Sequence, residues 1–312
     1  MSQRQPDSVK MALESFQSAI ELDPKFEMAY VGLANGLIVQ AERNVVRPSI
    51  GFELARGYAN TALELNESSV DAKIGLAMIE FEYDWDFEAA EKRFLNALPQ
   101  ASRDSEVKHP TGHQWFAEFL SATNRYELAL EQIQIAKQQE PMSDIVKTVE
   151  GLIHLKAGYC EQAISCLLNV LDNNPDFDRA RGYLIDAFDL TGQTERALIQ
   201  WTALAKSDQH IIDELKLAYK NDGDGGYWAQ RLNLQEGLSN IRSVSPLFLS
   251  IVHTKNDNPE KAISLIEDAI SRKDGAVAAN LLVHPIFDNL RDVEKFKVCL
   301  EQVGFLLENE TD

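Results

Sequence analysis

The 312-residue chain is strongly acidic, with 49 Asp and Glu residues against 30 Lys and Arg residues and a formal net charge of −19. A surface of this sign repels phosphate backbones and anionic lipid, which argues against direct nucleic-acid binding. Three cysteines are too few for a disulfide framework, and we expect buried free thiols. No apolar run reaches membrane-spanning length, so we expect no membrane insertion by this chain.

A stripe of small and apolar residues recurs along the chain in seven places. Each copy starts with an alanine and continues four and seven residues later, so its three members lie on one helix face. The copies are Ala12, Phe16 and Ala19; Ala55, Ala59 and Ala62; Ala90, Phe94 and Ala97; Ala129, Ile133 and Ala136; Ala163, Leu167 and Val170; Ala197, Trp201 and Leu204; and Ala262, Ile266 and Ala269. Three consecutive starts are 34 residues apart, which indicates a helical repeat.

A second helix is predicted before each stripe. Small residues stand twelve positions upstream of several copies, at Ala117, Gly151 and Ser250, where two helices can cross closely. Gly158 and Gly192 mark turns between paired helices. Helices of about 12–15 residues are too short to be stable alone in water, so stacking must stabilise them. The sequence therefore predicts an all-α fold, an α–α superhelix (solenoid) of helix-turn-helix repeats.

The 34-residue period, the alanines and the prolines at Pro141 and Pro175 resemble the tetratricopeptide repeat. The resemblance predicts an array over residues 1–210, made of a half repeat and about five repeats. Residues 211–312 are expected to continue it as a degenerate repeat, a final repeat and a C-terminal cap. Residues 222–226 are expected to form a turn rather than a flexible joint. An enlarged loop is expected at residues 42–51, and an acidic loop at residues 99–109.

Four further segments resemble a more specific domain. They lie at residues 81–94, 115–121, 217–228 and 284–291, the last with His284 where the resembled motif has Asp. Together they are similar to the C-terminal repeat domains of bacterial membrane-anchored signalling proteins, mainly winged-helix transcriptional regulators and less often kinases or cyclases. The resemblance implies a sensory or interaction domain. It would be periplasmic after a transmembrane segment and otherwise cytoplasmic.

Residues that could carry catalysis or bind a metal have a structural interpretation in each case. His109 and His113 are four apart, but proline and glycine between them and the lack of a third ligand argue against zinc. Asp84 or Asp86 is expected to cap the next helix, with Trp85 buried in the turn. Trp201 is expected to fill the core between helices. The sequence therefore predicts no enzyme, no cofactor and no metal.

The first helices of the repeats are expected to line a concave face that binds a peptide or protein partner. The predicted lining residues are Val31, Asn35, Ile38, Ile74, Met78, Phe81, Gln114, Glu118, Leu152, Leu155, Gly182, Asp186 and Asp189. The first half is apolar and the second acidic, which predicts an apolar segment followed by a basic one as the ligand. Two alternatives remain open: the inner face packs on itself, or residues 211–312 fold back across it.

Two functions are consistent with this face. One is a protein-interaction or sensory module of a bacterial signalling or transcription-regulatory protein. The other is a self-associating scaffold, in which the same surfaces form a homo-oligomer.

Overall fold

A computed structural model of the chain describes residues 4–98, 108–204, 208–239 and 244–305. Regular structure in these ranges is entirely helical. The α-helices are α1 (Arg4–Leu22), α2 (Glu27–Glu42), α3 (Pro48–Leu65), α4 (Val70–Ile79), α5 (Phe87–Ala97), α6 (Pro110–Ala122), α7 (Tyr126–Gln139), α8 (Asp144–Lys156), α9 (Cys160–Asn173), α10 (Asp178–Leu190), α11 (Thr194–Leu204), α12 (Gln209–Ser239), α13 (Pro246–Lys255), α14 (Pro259–Ser271), α15 (Val277–Asn280) and α16 (Glu294–Val303). Most of the acidic loop expected at residues 99–109 lies outside the described residues.

Consecutive helices pack as antiparallel pairs, α2 with α3, α4 with α5, and so on to α10 with α11. The stripes lie between the paired helices, because the starting alanine of every copy after the first is fully buried. The all-α solenoid predicted from the stripes is therefore confirmed. The first copy differs: Ala12 is exposed, since α1 has a neighbouring helix on one side only.

The enlarged loop expected at residues 42–51 is not present. Helix α2 continues to Glu42 and α3 begins at Pro48, a residue suited to the first helical turn. The two helices have 16 and 18 residues, so the residues beyond the period lengthen the helices instead of the loop.

The end of α4 is widened into a π turn over Glu80–Asp84, which ends at Trp85 in the left-handed region with φ 63°. The Trp85 indole N–H donates to the Glu82 carbonyl oxygen at 3.1 Å, and Asp86 caps α5 by accepting from the Ala89 amide at 3.0 Å. Asp84 pairs with Arg56 at 2.7 Å. Asp86 therefore has the expected capping role, whereas Asp84 forms an ion pair instead and Trp85 is only partly buried. The π turn adds a change of direction that the stripe pattern does not contain.

Helix α12 is two helical arms joined at a sharp bend. Asp222 and Gly223 leave helical geometry there, Gly223 with φ 58°. Its arms fold onto each other so closely that a Cβ on Gly226 would lie 2.3 Å from the Ala218 carbonyl oxygen. The glycine cluster therefore makes a turn within a helix pair.

The first helices of the pairs form the inner row of the solenoid. Helix α2 packs on α4, α4 on α6, α6 on α8 and α8 on α10, whereas the second helices lie further apart. Inward side chains of this row define the inner face.

Residues 273–284, here called the strap, cross the inner face of the first pairs. A Cβ on Gly275 would lie 2.8 Å from the Glu42 Cα, and Ala278 is buried in the same core cluster as the first repeats. Asp274 accepts a hydrogen bond from the Asn44 side chain at 3.0 Å. Of the alternatives that the sequence leaves open, the strap supports the fold-back of the C-terminal region.

Candidate functional site

Most of the predicted lining residues are core residues in the folded chain. Nine of them are between 1% and 7% exposed: Val31, Ile38, Ile74, Met78, Phe81, Gln114, Leu152, Leu155 and Asp189. Neighbouring inner helices and the strap cover the apolar half of the predicted groove. A partner could not contact these nine side chains without displacing part of the fold, and their role in partner binding stays a prediction.

Asn35, Glu118, Gly182 and Asp186 remain partly accessible. Among the four, Gly182 marks an open region, because nothing lies within 4 Å of the place where its Cβ would stand. The accessible part of the inner face therefore lies around α6 and α10.

Charged side chains from five inner elements meet beside this open region. We call Glu42, Glu82, Glu118, Lys156 and Arg179 the inner charged cluster. Arg179 joins two of its carboxylates, with Nη2 at 3.3 Å from Glu118 Oε2 and 3.8 Å from Glu42 Oε1. The side chains in these pairs are between 12% and 23% exposed, so water reaches the cluster.

Glu82 is the most enclosed member of the inner charged cluster. Its side chain follows the π turn inward, the residue is 2% exposed, and its Oε2 atom has no hydrogen-bond partner. Burial, reinforced by the charges of Glu42 and Glu118, raises its pKa well above the usual value. Burial also raises the pKa of Glu42, which Arg179 partly offsets. The cluster thus holds carboxyl groups that tend to retain a proton.

Lys156 connects the cluster to the strap. Its Nζ donates to the Ala279 carbonyl oxygen at 2.8 Å, and burial lowers its pKa to about 8. Tyr126 donates to the Lys156 carbonyl oxygen at 2.9 Å and holds this end of α8. One basic member of the cluster is therefore already bound to the strap backbone.

Asp189 has a structural role in joining α10 to α12. Its two oxygens accept from Arg231 and from the Tyr227 hydroxyl, the latter at 2.9 Å. Tyr227 in turn accepts from the Trp201 indole N–H at 3.0 Å. Trp201 is partly buried and packs against two core clusters as expected, and its indole N–H adds a polar connection between helices.

Asp186, one turn before Asp189, has no such partner among the described hydrogen bonds and ion pairs. Burial, and then the nearby charge of Asp189, raise its pKa to about 7, while Arg231 acts in the opposite direction. It lies on the same inner face as Gly182 and Arg179. Asp186 therefore extends the acidic character of the open region.

The other candidate residues are held in separate structural contacts. His109 Nδ1 lies 3.2 Å from Asp71, and His113 Nδ1 lies 2.8 Å from Gln132. Within the described ranges, no three His, Cys, Asp or Glu residues are placed to hold a metal ion. Cys160 and Cys166 are partly exposed, not buried as expected, and Cys299 is buried.

The predicted lining residues include Glu118 but not the other four members of the inner charged cluster. Adding four residues to the predicted positions Ile38, Met78 and Leu152 leads to Glu42, Glu82 and Lys156. Arg179 lies three residues before Gly182. The missed residues could therefore have been predicted by extending the same helix face by one turn.

Comparison with known proteins gives one family match and several similar solved structures. The family described as "Tetratricopeptide repeat" matches residues 148–210. A solved structure of human IFIT1, a dimer with m7Gppp-AAAA, is similar over 95% of this chain and 67% of its own, with 15% identity and a TM-score of 0.60. PilF of Pseudomonas aeruginosa is similar over 81% of this chain and 94% of its own, with 19% identity and a TM-score of 0.45. No curated protein gives a significant match.

The matched repeat lies on α8–α11, at the centre of the array, and the helix pairs on either side repeat its arrangement. Among the described residues no helix has the length and apolar character needed to span a membrane. The matched segment, the stripes and the shared fold together support a tetratricopeptide repeat protein.

Proposed function

We propose that this chain is a protein–protein interaction module that binds a peptide or protein segment at the open part of its inner face. The observation that carries the proposal is the accessible surface around Gly182, with Arg179, Asp186 and Glu118 beside it. Helical-repeat arrays offer such extended inner surfaces to their ligands. The strap covers the inner face of the first helix pairs, so the region around Gly182 is the part that a ligand can reach.

The proposed module acts without catalysis. The comparisons indicate no enzyme family. Arg179 pairs with Glu42 and Glu118, and Lys156 donates to the strap backbone, so these groups do not form a nucleophile with an adjacent base. The accessible carboxylates favour a ligand segment with a basic residue, which agrees with the second half of the ligand predicted from sequence.

We also propose that the module is the sensory part of a bacterial signalling or transcription-regulatory protein. The support is the resemblance of the segments at residues 81–94, 115–121, 217–228 and 284–291. The complete reading frame tests this context. An effector domain and a transmembrane segment encoded with the repeats would support it and would place the repeats in the periplasm, whereas an unrelated catalytic domain would contradict it.

A photo-reactive amino acid at position 182 tests the binding face. Incorporation at Gly57, an exposed helical glycine on α3 that also has nothing within 4 Å of its Cβ position, is the matched control. We expect a crosslinked partner from position 182 and none from position 57. The purified partner should then bind the unmodified chain in solution, and Gly182→Trp should abolish this binding. Equal capture at both positions would contradict the proposal.

A self-associating scaffold is the second candidate, favoured by apolar side chains at the first helices. Met11 is 66% exposed, Leu22 89% and Met28 50%. Light scattering over a range of protein concentrations tests it, with Leu22→Glu as the disrupting variant. A mass that stays monomeric at every concentration would exclude this candidate.

A further inference from the structure

The inner charged cluster contains more carboxylates than available cations. Glu42, Glu82 and Glu118 face Arg179 and Lys156, and Lys156 already donates to the strap backbone. Asp186 adds a fourth acidic group beside the open region. We propose that this cluster binds an organic cation, a guanidinium or primary ammonium group, which is received by Glu82 with Glu42 and Glu118. The proposal rests on the proposed function for the choice of face and names the chemistry recognised there.

Glu82 supplies the observation that points to a ligand. Its Oε2 atom is enclosed and lacks a donor, although the residue is 98% buried. A buried carboxyl oxygen without a hydrogen bond is costly, and such groups usually have a partner. The π turn holds the side chain inward, and π turns occur often at functional sites. A donor from a bound cation would satisfy this atom.

The arrangement favours an organic cation over a metal ion. No three carboxylates or histidines in the described part of the chain are close enough together to coordinate a metal. Arg179, by contrast, shows that a planar guanidinium can contact both Glu42 and Glu118 at 3.8 and 3.3 Å. Guanidinium and ammonium groups carry several N–H donors and can therefore serve separated carboxylates at once.

A ligand can approach the cluster from α10. Gly182 leaves space there, and the Glu118 and Glu42 side chains are 12% and 23% exposed. The strap covers the opposite side, where Lys156 meets Ala279. The cation would enter past Gly182, meet the half-buried carboxylates of Glu118 and Glu42 first, and reach Glu82 at the enclosed end.

Binding should be coupled to proton release. Glu82 faces Glu42 of α2, Glu118 of α6, Lys156 of α8 and Arg179 of α10, and its pKa is raised well above its ordinary value of 4.5. A cation favours the ionised carboxylate, so the proton leaves as the cation binds. Affinity should therefore increase as the pH rises through the raised pKa of Glu82.

Isothermal titration of the full chain with two probes tests the proposal. Agmatine represents a free small molecule, and the capped tripeptide acetyl-Gly-Arg-Gly-amide represents a protein segment. We expect one site per chain and, in Glu82→Gln, an affinity lower by about tenfold or more. Titration in buffers of different ionisation enthalpy should show proton release by the wild type and none by Glu82→Gln.

Glu88→Gln, an exposed position at the start of α5 in the same repeat, is the matched control and should bind both probes normally. Glu118→Gln is the second test variant if Glu82→Gln does not fold, as judged by circular dichroism. Binding of the tripeptide alone would support the proposal with a protein segment as the source of the cation. Binding of neither probe, or equal binding by Glu82→Gln, would overturn it. A partner crosslinked at position 182 would in that case still support the proposed function.

Discussion

Asp186 and Asp189 lie on the same side of α10, yet their surroundings differ. Asp189 receives hydrogen bonds from Tyr227 and Arg231, whereas Asp186 lies among buried groups beside another carboxylate. A buried carboxylate without a partner favours its neutral form. Burial raises the pKa of both carboxyl groups, but at Asp189 the charge of Arg231 and the hydrogen bond from Tyr227 offset part of this effect. The cost of burying the charge is therefore less compensated at Asp186.

We predict that Asp186→Asn stabilises the chain at pH 8. Because the folded-state pKa is raised from 3.8 to about 7, the folded state holds more protons than the unfolded state between these values, and stability falls as pH rises through them. The amide removes this cost, and we expect a gain of about 1–3 kcal/mol at pH 8 that shrinks towards pH 4. Urea unfolding at both pH values measures it.

Asp172→Asn, an exposed position on α9, is the control for this substitution. It should change the free energy of unfolding little at either pH. A gain for Asp186→Asn that is as large at pH 4 as at pH 8 would show that ionisation is not its cause.

His284 is a buried residue that caps the short helix following it. Its Nδ1 accepts from the Ile286 amide at 3.2 Å, at the start of the 3-10 helix Pro285–Leu290. Burial, with the nearby charges of Lys156, Arg291 and Lys255, lowers its pKa to about 3. The imidazole therefore caps in its neutral form.

We predict that His284→Asp makes the chain less sensitive to acid. The unfolded state gains a proton at His284 as pH falls below about 6.5, while the folded state stays neutral down to about 3, so stability is lost in that window. Aspartate can accept the same hydrogen bond and carries the charge that Lys156 and Arg291 attract. Between pH 7 and pH 5 the melting temperature of His284→Asp should fall less than that of the wild type. The difference should correspond to about 1–2 kcal/mol in the free energy of unfolding.

His210→Asp, at an exposed position, controls for the loss of a histidine as such. The difference between its melting temperatures at pH 7 and pH 5 should equal that of the wild type. A larger acid sensitivity in His284→Asp would contradict the capping argument.

The element scale is where sequence reasoning was most accurate. The small residues of a stripe can be recognised because a helix repeats every 3.6 residues and close crossings need short side chains. The same reasoning placed the turns at Gly158 and Gly192, which have φ 79° and 67°. The π turn at Glu80–Asp84 could not be predicted in this way. It adds one backbone residue to a single turn, and a segment of five residues is too short for that change to be seen in the hydrophobic period.

Trp201 shows how an element contact differs from its sequence interpretation. The centre of the ring lies 5.2 Å from the Arg231 guanidinium, and the indole N–H donates to the Tyr227 hydroxyl, so Trp201 joins α11 to the second arm of the bent α12. A stripe position predicts burial against a neighbouring helix. It does not predict that the neighbour supplies an arginine and a tyrosine.

We predict that Trp201→Ala lowers the free energy of unfolding by about 3 kcal/mol, because it removes a large ring together with its contacts to Tyr227 and Arg231. Trp201→Phe keeps a ring and loses only the indole N–H, which should cost about 1 kcal/mol. Denaturant unfolding measures both. An unchanged free energy in Trp201→Ala would contradict the alignment of this repeat.

At the scale of the whole molecule, the strap determines which part of the inner face is free. Its contacts join residues far apart in sequence, such as Asn44 and Asp274. A repeat pattern describes contacts between neighbours and contains nothing about a segment that returns from more than 200 residues away. The burial of Ile38, Met78 and Phe81 could therefore not be decided from their helix positions, although the acidic character around Asp186 could.

We predict that Gly275→Ala loosens the strap. The added Cβ would lie within 3.0 Å of backbone atoms of Ala41 and Glu42, which cannot move aside as a side chain can. The cost should be about 1–3 kcal/mol, with faster amide hydrogen exchange in residues 273–284. Lys273 lies 3.5 Å from the centre of the Trp85 ring, so the fluorescence of Trp85 should also change.

Gly57→Ala, in the exposed middle of α3, is the control and should stabilise the chain by about 0.5–1 kcal/mol. Unchanged exchange rates across residues 273–284 in Gly275→Ala would show that the strap tolerates the methyl group. In that case the tight approach to α2 is not what holds the strap in place.

The strap also changes how the chain should fold and unfold. In an open solenoid, each repeat touches only its neighbours, so the ends can melt while the middle persists. Here the hydrogen bond from Asn44 to Asp274 bridges 230 residues and ties early helices to late ones. Such distant contacts form slowly, because a long loop must close first. The intact chain should therefore unfold in a single cooperative step, whereas a chain with a loosened strap should unfold progressively from one end.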